Sequence, residues 1–205
     1  GANFPDLGEL DALVVETTRG DSERRAGYTR ESEEARFIEA INKCFERGGS
    51  VLVPVFAMGK TQEVLTMVHE NKQDGTLPDV PVFIGGLSTK MTVVFDKFAE
   101  QTRRTLPGFR ILTDMEVITG SRKRRRDIEY APRCIFALSS GMMTEKTVSN
   151  GFARNFINNP KNSLLFVGYT DPSTPGARIR AAKRGDMVDL DSSMAPVKLD
   201  CEVEV

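Results

Sequence analysis

The sequence contains few of the residues that build metal centres and disulfide frameworks. Its 205 residues include one histidine, three cysteines and no tryptophan. Catalytic zinc sites typically use two or three histidines, so the single His69 excludes a histidine-based zinc centre built from this chain alone. The cysteines (Cys44, Cys134 and Cys201) lie far apart and form no Cys-x-x-Cys pair. Their apolar surroundings favour buried reduced thiols over disulfides or metal ligands.

Long apolar runs and a large net charge are also missing. No stretch approaches the roughly 18 apolar residues of a membrane span, and the N-terminus lacks the pattern of a signal peptide. We therefore expect no membrane partner and a cytoplasmic location. The formal net charge of -1 hides an uneven distribution. Residues 1–18 carry four acids and no base, and residues 183–205 carry a net -3, which leaves about +6 on residues 19–182.

Short apolar runs alternate with amphipathic stretches along the chain. The apolar runs predict strands at residues 10–15, 50–56, 80–84, 109–112, 134–138, 163–167 and 197–205. Helices are predicted from Thr29 or Ser32 to Gly48-Gly49, over 61–71, from Ser88 with Met91, Val94, Phe95 and Phe98, and around Val148, Phe152 and Phe156. This order predicts the α/β class, with a mostly parallel sheet and helices on both faces.

Polar loops follow the carboxyl ends of the predicted strands, where ligands of parallel sheets bind. The loops are residues 16–21, 56–61, 85–88, 139–141 and 168–176. Three of them open onto a helix, whose free N–H groups and dipole attract anions. We therefore expect a ligand that carries phosphate at this edge.

A basic run is a second candidate for phosphate contact. It consists of Arg122, Lys123, Arg124, Arg125 and Arg126, and its alternative interpretation is a solvated loop.

The Gly59-Lys60-Thr61 sequence resembles the end of a P-loop, but the first glycine of that motif would fall on Pro54. Proline has no N–H for a phosphate and cannot adopt a positive φ. A nucleotide-binding domain is therefore a minor alternative. Lys60 is either a phosphate contact at a helix start or an ordinary surface lysine.

Four blocks, in order, resemble the β-CASP branch of the metallo-β-lactamase superfamily, whose members are zinc-dependent nucleases. The blocks are Leu13-Val14-Val15-Glu16-Thr17-Thr18-Arg19-Gly20, residues 47–63, Ser139-Ser140-Gly141-Met142-Met143 and residues 162–174. The second block is more similar to the endonuclease subunit of the cleavage and polyadenylation specificity factor and its prokaryotic homologues than to RNase J. The resemblance implies a segment of a longer protein, with a Rossmann-like β-CASP domain at 20–190. Residues 1–19 and 191–205 would be strands that join it to a metallo-β-lactamase part.

The resemblance also implies which residues act. Two zinc ions would be held outside this segment, which would contain no metal ligand or cofactor site; His69 matches none of the family's motifs. Glu16 matches an acid that orients a histidine of a later motif, with an ordinary strand-end acid as the alternative. Contacts to the substrate backbone are expected from Lys60, Ser139, Ser140, Gly141 and Thr174.

These implications define the expected function and partners. The full-length protein would be a metal-dependent ribonuclease that hydrolyses phosphodiesters, and this segment alone would be inactive. Single-stranded RNA is the expected partner, with DNA not excluded, together with the rest of the chain and a second copy in a homodimer. The alternative is a catalytically inactive β-CASP scaffold that binds an active homologue.

Overall fold

A computed structural model of the chain describes residues 6–17, 20–21, 23, 26–120 and 130–205. In chain order the elements are α1 (Arg30–Glu46), β1 (Val51–Pro54), α2 (Lys60–Gln73), β2 (Val82–Gly85), α3 (Leu87–Lys97), α4 (Ile111–Asp114), β3 (Ile118–Thr119), β4 (Ile135–Leu138), α5 (Val148–Ala153), β5 (Ser163–Leu165), α6 (Pro175–Ala181), β6 (Met187–Val188), β7 (Val197–Lys198) and β8 (Glu202–Glu204). Among the described residues, no helix has both the length and the apolar character needed to span a bilayer.

Six strands form one sheet in the order β3-β2-β4-β1-β5-β8, and every neighbouring pair is parallel. The central strands β1 and β4 are buried along their whole length. This explains their continuous apolar sequences, because a parallel strand covered on both faces has no solvent-facing side. The predicted α/β class and mostly parallel sheet are confirmed.

Helices cover both faces of the sheet, as predicted. Successive side chains of a strand point to opposite faces, so each strand contributes to two cores. Val53 of β1 belongs to a core that includes Leu65 of α2. Its neighbour Leu52 belongs to a second core, together with Ala153 of α5 and Ile179 of α6.

Local signals account for both ends of α1. Thr29 and Ser32 form a capping box, in which each side chain accepts a hydrogen bond from the other residue's N–H. At the other end, the N–H of Gly48 binds the carbonyl of Phe45 and the N–H of Gly49 binds that of Cys44. This Schellman arrangement needs a left-handed residue, and Gly48 has a φ of 71°.

Three of the predicted strands are wrong or incomplete. Residues 10–15 form no strand, and their apolar side chains are exposed, because no described strand lies beside them to pair with. The segment predicted as a strand at 109–112 contains the start of α4 instead. The segment 197–205 divides between β7, which pairs antiparallel with β6, and β8, which pairs with β5. The short elements β3, β6 and α6 were not predicted.

Helix α3 packs its polar face against the protein, although the apolar pattern of its sequence predicts that the other face is buried. Its buried residues are Ser88, Thr92 and Asp96, whereas Val94 and the adjacent Phe98 are exposed. The reason is that the neighbouring elements present polar groups that need partners. The Thr61 and Ser88 hydroxyls lie 3.0 Å apart, Gln62 donates to Thr92, and the Asp96 carboxylate accepts the first N–H groups of α4.

Candidate nucleic-acid interface

The loops that follow β1, β2, β4 and β5 lie at one edge of the sheet. Pro54 and Gly85 are both in register with Leu138, so the chain leaves β1, β2 and β4 at the same level. This edge, which we call the carboxyl edge, contains four of the five loops that the sequence predicted to converge there. The fifth, residues 16–21, was placed there wrongly as a strand-end loop, because the residues before it form no strand. Their hydrogen bonds determine which groups remain available to a ligand.

Ser139 joins two of these loops. Its hydroxyl donates to the Gly85 carbonyl at 3.1 Å and accepts the Ser88 N–H at 3.3 Å. Its carbonyl accepts the Ser149 N–H at 3.1 Å. The first turns of α3 and α5 therefore each direct an N–H group to Ser139 rather than to solvent. The Ser139 side chain is buried and already occupied within the protein.

Ser140 and Gly141 continue this turn. The Ser140 hydroxyl accepts the Thr144 N–H at 3.1 Å, and the residue is half-buried. Gly141 is buried, and a Cβ atom there would lie 3.0 Å from both the ring and the backbone nitrogen of Phe56. The absence of a side chain thus allows the end of β1 to approach the turn after β4. The predicted role of Ser139, Ser140 and Gly141 in substrate binding stays a prediction.

Lys60 lies at the start of α2, as predicted, but its charge is paired. Its Nζ atom is 2.6 Å from a carboxylate oxygen of Glu63, whose other oxygen is 2.9 Å from Arg30. Burial acts to raise the pKa of Glu63, but the hydrogen bond from Lys60 and the two cations outweigh it and lower the pKa. The Lys60 N–H binds the Met58 carbonyl. A phosphate contact through Lys60 would have to compete with Glu63.

Two further groups at the carboxyl edge were not singled out from the sequence. Tyr169, directly after the loop glycine Gly168, has 63% of its surface exposed. Arg180 reaches back from α6, and its Nη1 atom donates to the Thr170 hydroxyl at 2.9 Å. The sequence offered the Gly168-Tyr169-Thr170 motif as a signal, but Arg180 could not be placed because α6 was not predicted.

Thr174 is the N-cap of α6. Its hydroxyl donates to the Asp171 carbonyl at 2.6 Å and accepts the Ala177 N–H at 3.4 Å. These contacts explain the residue type by helix capping. Its predicted contact with substrate stays a prediction.

Glu16 and the basic run belong to none of the four loops that form the carboxyl edge. Glu16 is exposed, within a segment at residues 6–17 that has neither helix nor strand. Its role in orienting a histidine stays a prediction. The basic run at residues 122–126 lies outside the described residues.

Among the residues that the structure describes, no group of three or more His, Cys, Asp or Glu side chains could hold a metal ion. The His69 ring stacks on Phe109 with 4.4 Å between centroids. All three cysteines are free and buried, which confirms the prediction, and burial raises the pKa of Cys201 to about 12. The described residues therefore do not fit a zinc site.

Comparison with known proteins links this geometry to a family. A family model described as the Beta-Casp domain matches residues 61–179. The transcription termination factor FttA of Pyrococcus horikoshii is 30% identical over 98% of this chain and 32% of that protein. FttA of Methanosarcina mazei is 27% identical over 96% of this chain and 32% of that protein.

A differently named relative is also similar. The RNase J-like protein of Methanocaldococcus jannaschii is 28% identical over 85% of this chain and 41% of that protein. The chain spans about a third of the length of the FttA proteins that it matches.

Proposed function

We propose, from the premise that this chain belongs to the Beta-Casp family, that it is the nucleic-acid-binding part of an RNA-processing protein. The observation that carries the proposal is the convergence of four strand-end loops at the carboxyl edge. The names of the relatives, a transcription termination factor and an RNase J-like protein, support RNA as the nucleic acid. Single-stranded RNA is the proposed ligand.

The charge of the carboxyl edge is consistent with this ligand. The loops and helix starts at residues 56–63, 85–90, 139–147 and 168–180 carry five lysines and arginines and three acids. Because phosphate contacts supply most of the non-specific affinity for nucleic acids, a surplus of cations at this edge favours a polyanion such as RNA over a basic protein. The hydroxyl and backbone groups of the same loops add hydrogen-bonding capacity for the sugar-phosphate backbone.

Hydrolysis belongs in our proposal to a longer protein rather than to the described residues. Since these residues do not fit zinc, we assign them no step of phosphodiester cleavage. The two zinc ions and the metal-dependent ribonuclease activity would be contributed by residues outside this chain. Glu16 would act there as a positioning residue, by accepting the ring N–H of a histidine.

RNA binding is tested by fluorescence anisotropy. Labelled single-stranded RNA, single-stranded DNA and duplex RNA are titrated with the protein at about 50 to 200 mM salt. We expect the tightest binding to single-stranded RNA, weaker binding as salt increases, and no cleavage of the RNA. Equal affinity for all three ligands, or binding to none, would contradict the proposal.

The candidate RNA track at residues 122–126 has its own test. A variant with these residues reversed in charge is expected to bind single-stranded RNA more weakly and with a shallower salt dependence. Unchanged binding would remove the run from the proposed interface and leave the carboxyl edge in place.

The role of Glu16 requires the full-length protein. Glu16→Gln is expected to reduce cleavage of end-labelled RNA while leaving RNA affinity unchanged, because the residue is proposed to act through a histidine. Bound zinc is measured in the same samples. Full-length protein that binds RNA but contains no zinc and cleaves nothing would instead favour the inactive scaffold.

The scaffold alternative is favoured by one observation, the exposed apolar side of α3. Leu87, Val94 and Phe98 are 56%, 46% and 39% exposed, and their spacing of seven and four residues places them in one row along the helix, where an apolar patch marks a surface for a partner. Sedimentation velocity tests whether the protein forms the proposed homodimer or remains monomeric. The cytoplasmic location is likewise a proposal, which cell fractionation tests.

A further inference from the structure

We infer that Tyr169 and Arg180 form a nucleotide-binding pair at the carboxyl end of β5, in which the tyrosine ring stacks on a base and the guanidinium binds a neighbouring phosphate. The inference rests on the proposed RNA-binding function and assigns residues to it. It also transfers the main phosphate contact of this edge from Lys60 to Arg180.

Arg180 is held in place with donors to spare. Its Nη1 atom donates to the Thr170 hydroxyl at 2.9 Å and lies 3.5 Å from the Gly168 carbonyl. Its guanidinium carbon lies 5.8 Å from the centre of the Phe166 ring. These contacts fix the group, while its Nε and Nη2 atoms form no hydrogen bond with the described residues and are not buried.

Arg180 differs from Lys60 in that no described carboxylate pairs with its charge. Among the described residues, Arg180 forms no ion pair with a carboxylate, whereas Lys60 and Arg30 share Glu63. A phosphate approaching Arg180 therefore displaces no acid. The planar guanidinium can also present two parallel N–H groups to phosphate oxygens, which a lysine cannot.

Tyr169 is exposed although the backbone on each side of it is fixed. A Cβ atom at Gly168 would lie 3.1 Å from the Phe56 ring, so the chain there runs close against the end of β1. Thr170 is buried and bound by Arg180. The ring is thus presented to solvent by a short, anchored segment, which reduces the ordering cost of binding.

The chemistry around the ring favours a nucleotide over an apolar protein surface. The chain beyond Thr170 continues with Asp171, Pro172 and Ser173, which are not apolar anchors, and Arg180 supplies a cation at the same strand end. A protein-docking patch would combine Tyr169 with further apolar side chains at its centre. A fixed cation bound to Thr170, the residue next to the exposed ring in the chain, instead provides with that ring the two contacts that single-stranded RNA uses, to phosphate and to base.

The test separates the two contacts by using two RNA probes. One probe is a labelled oligoadenylate, and the other is an RNA of the same length that lacks all bases. Tyr169→Leu is expected to weaken oligoadenylate binding about tenfold and to leave abasic RNA binding unchanged, because stacking needs a base. Tyr169→Phe keeps the ring and is expected to bind both probes like the unsubstituted protein.

Arg180 is tested with the same probes. Arg180→Gln is expected to weaken the binding of both RNAs and to reduce the slope of log affinity against log salt by about 1. Arg133→Gln is the matched control, because it removes the same charge from an exposed residue that precedes β4 at the opposite edge. Circular dichroism verifies that each variant is folded, and Arg180→Lys tests whether charge alone restores binding.

The outcomes distinguish this inference from the proposed function. If the unsubstituted protein binds neither RNA, the proposed function fails and the inference fails with it. If it binds RNA but Tyr169→Leu and Arg180→Gln bind both probes unchanged, only the inference is overturned. Equal loss on oligoadenylate and abasic RNA in Tyr169→Leu would rule out stacking. Loss of self-association without loss of RNA binding would identify a protein-docking residue.

Discussion

The orientation of α3 gives the most direct test of the structure, because the apolar pattern of its sequence predicts the opposite face. The test compares Asp96→Ala with Val94→Ser. Asp96 is 8% exposed, and its carboxylate accepts the N–H of Ile111 at 3.0 Å and the N–H of Leu112 at 2.8 Å. Val94 is 46% exposed.

The structure predicts unequal costs for these substitutions. Each hydrogen bond to a charged group contributes about 1.5–3 kcal/mol, and Asp96→Ala removes two of them. Because relaxation or the entry of water recovers part of this loss, we expect the free energy of unfolding to fall by about 2–4 kcal/mol. Val94→Ser changes an exposed site and should alter the free energy of unfolding by less than about 0.5 kcal/mol. Thr92→Val should fall between them, because it removes one hydrogen bond from Gln62 and one to Ser88.

Urea unfolding followed by circular dichroism measures all three variants. Midpoints are compared at a common m value, so that differences report stability rather than changes in the unfolded state. Asp96→Asn is the conservative control, since its amide oxygen can still accept one of the two N–H groups. If Val94→Ser costs more than Asp96→Ala, α3 buries its apolar side and the described packing is wrong.

Three further predictions follow from the described contacts. Because the pKa of Glu63 is lowered, its stabilising contribution is present above the ordinary value of 4.5 and is lost as the pH falls through the lowered pKa. In Glu63→Gln the urea midpoint should therefore decrease less at acidic pH than in the unsubstituted protein. Burial raises the pKa of all three cysteines, so a thiol reagent should label none in the native protein and three after unfolding; rapid native labelling would contradict their burial. Gly49→Ala should destabilise the protein by about 3 kcal/mol or more in thermal unfolding, since its Cβ would overlap the Lys161 carbonyl oxygen. Gly48→Ala should cost about 1 kcal/mol for its left-handed backbone, and equal costs would contradict the close approach at Gly49.

The elements that were predicted correctly depend on short-range signals. The capping box at Thr29 and the glycine pair that ends α1 each involve groups only a few residues apart, so their hydrogen bonds are encoded locally. The buried runs that became β1 and β4 are apolar throughout, which is diagnostic of strands covered on both sides. The four sequence blocks that resemble the β-CASP branch then indicated which type of domain these elements form.

The candidate site was predicted in outline rather than in contacts. The sequence indicated which loops lie at the carboxyl edge, because the carboxyl ends of parallel strands meet there. It could not show that Glu63 pairs with Lys60, or that Ser139 uses its hydroxyl to join two loops. Those outcomes depend on side-chain directions and on partners from other elements.

Amino-acid order alone was sufficient for the α/β class, the end of α1 at its glycine pair and four of the loops of the carboxyl edge, because periodicity and capping act over a few residues. Packing was needed to show that α3 turns its polar side inward, that residues 197–205 divide between two sheets and that Arg180 reaches Thr170. The physical reason is that burial and hydrogen-bond satisfaction are properties of neighbours in space. A polar side chain is stabilised inside the protein when a distant part of the chain supplies its partner.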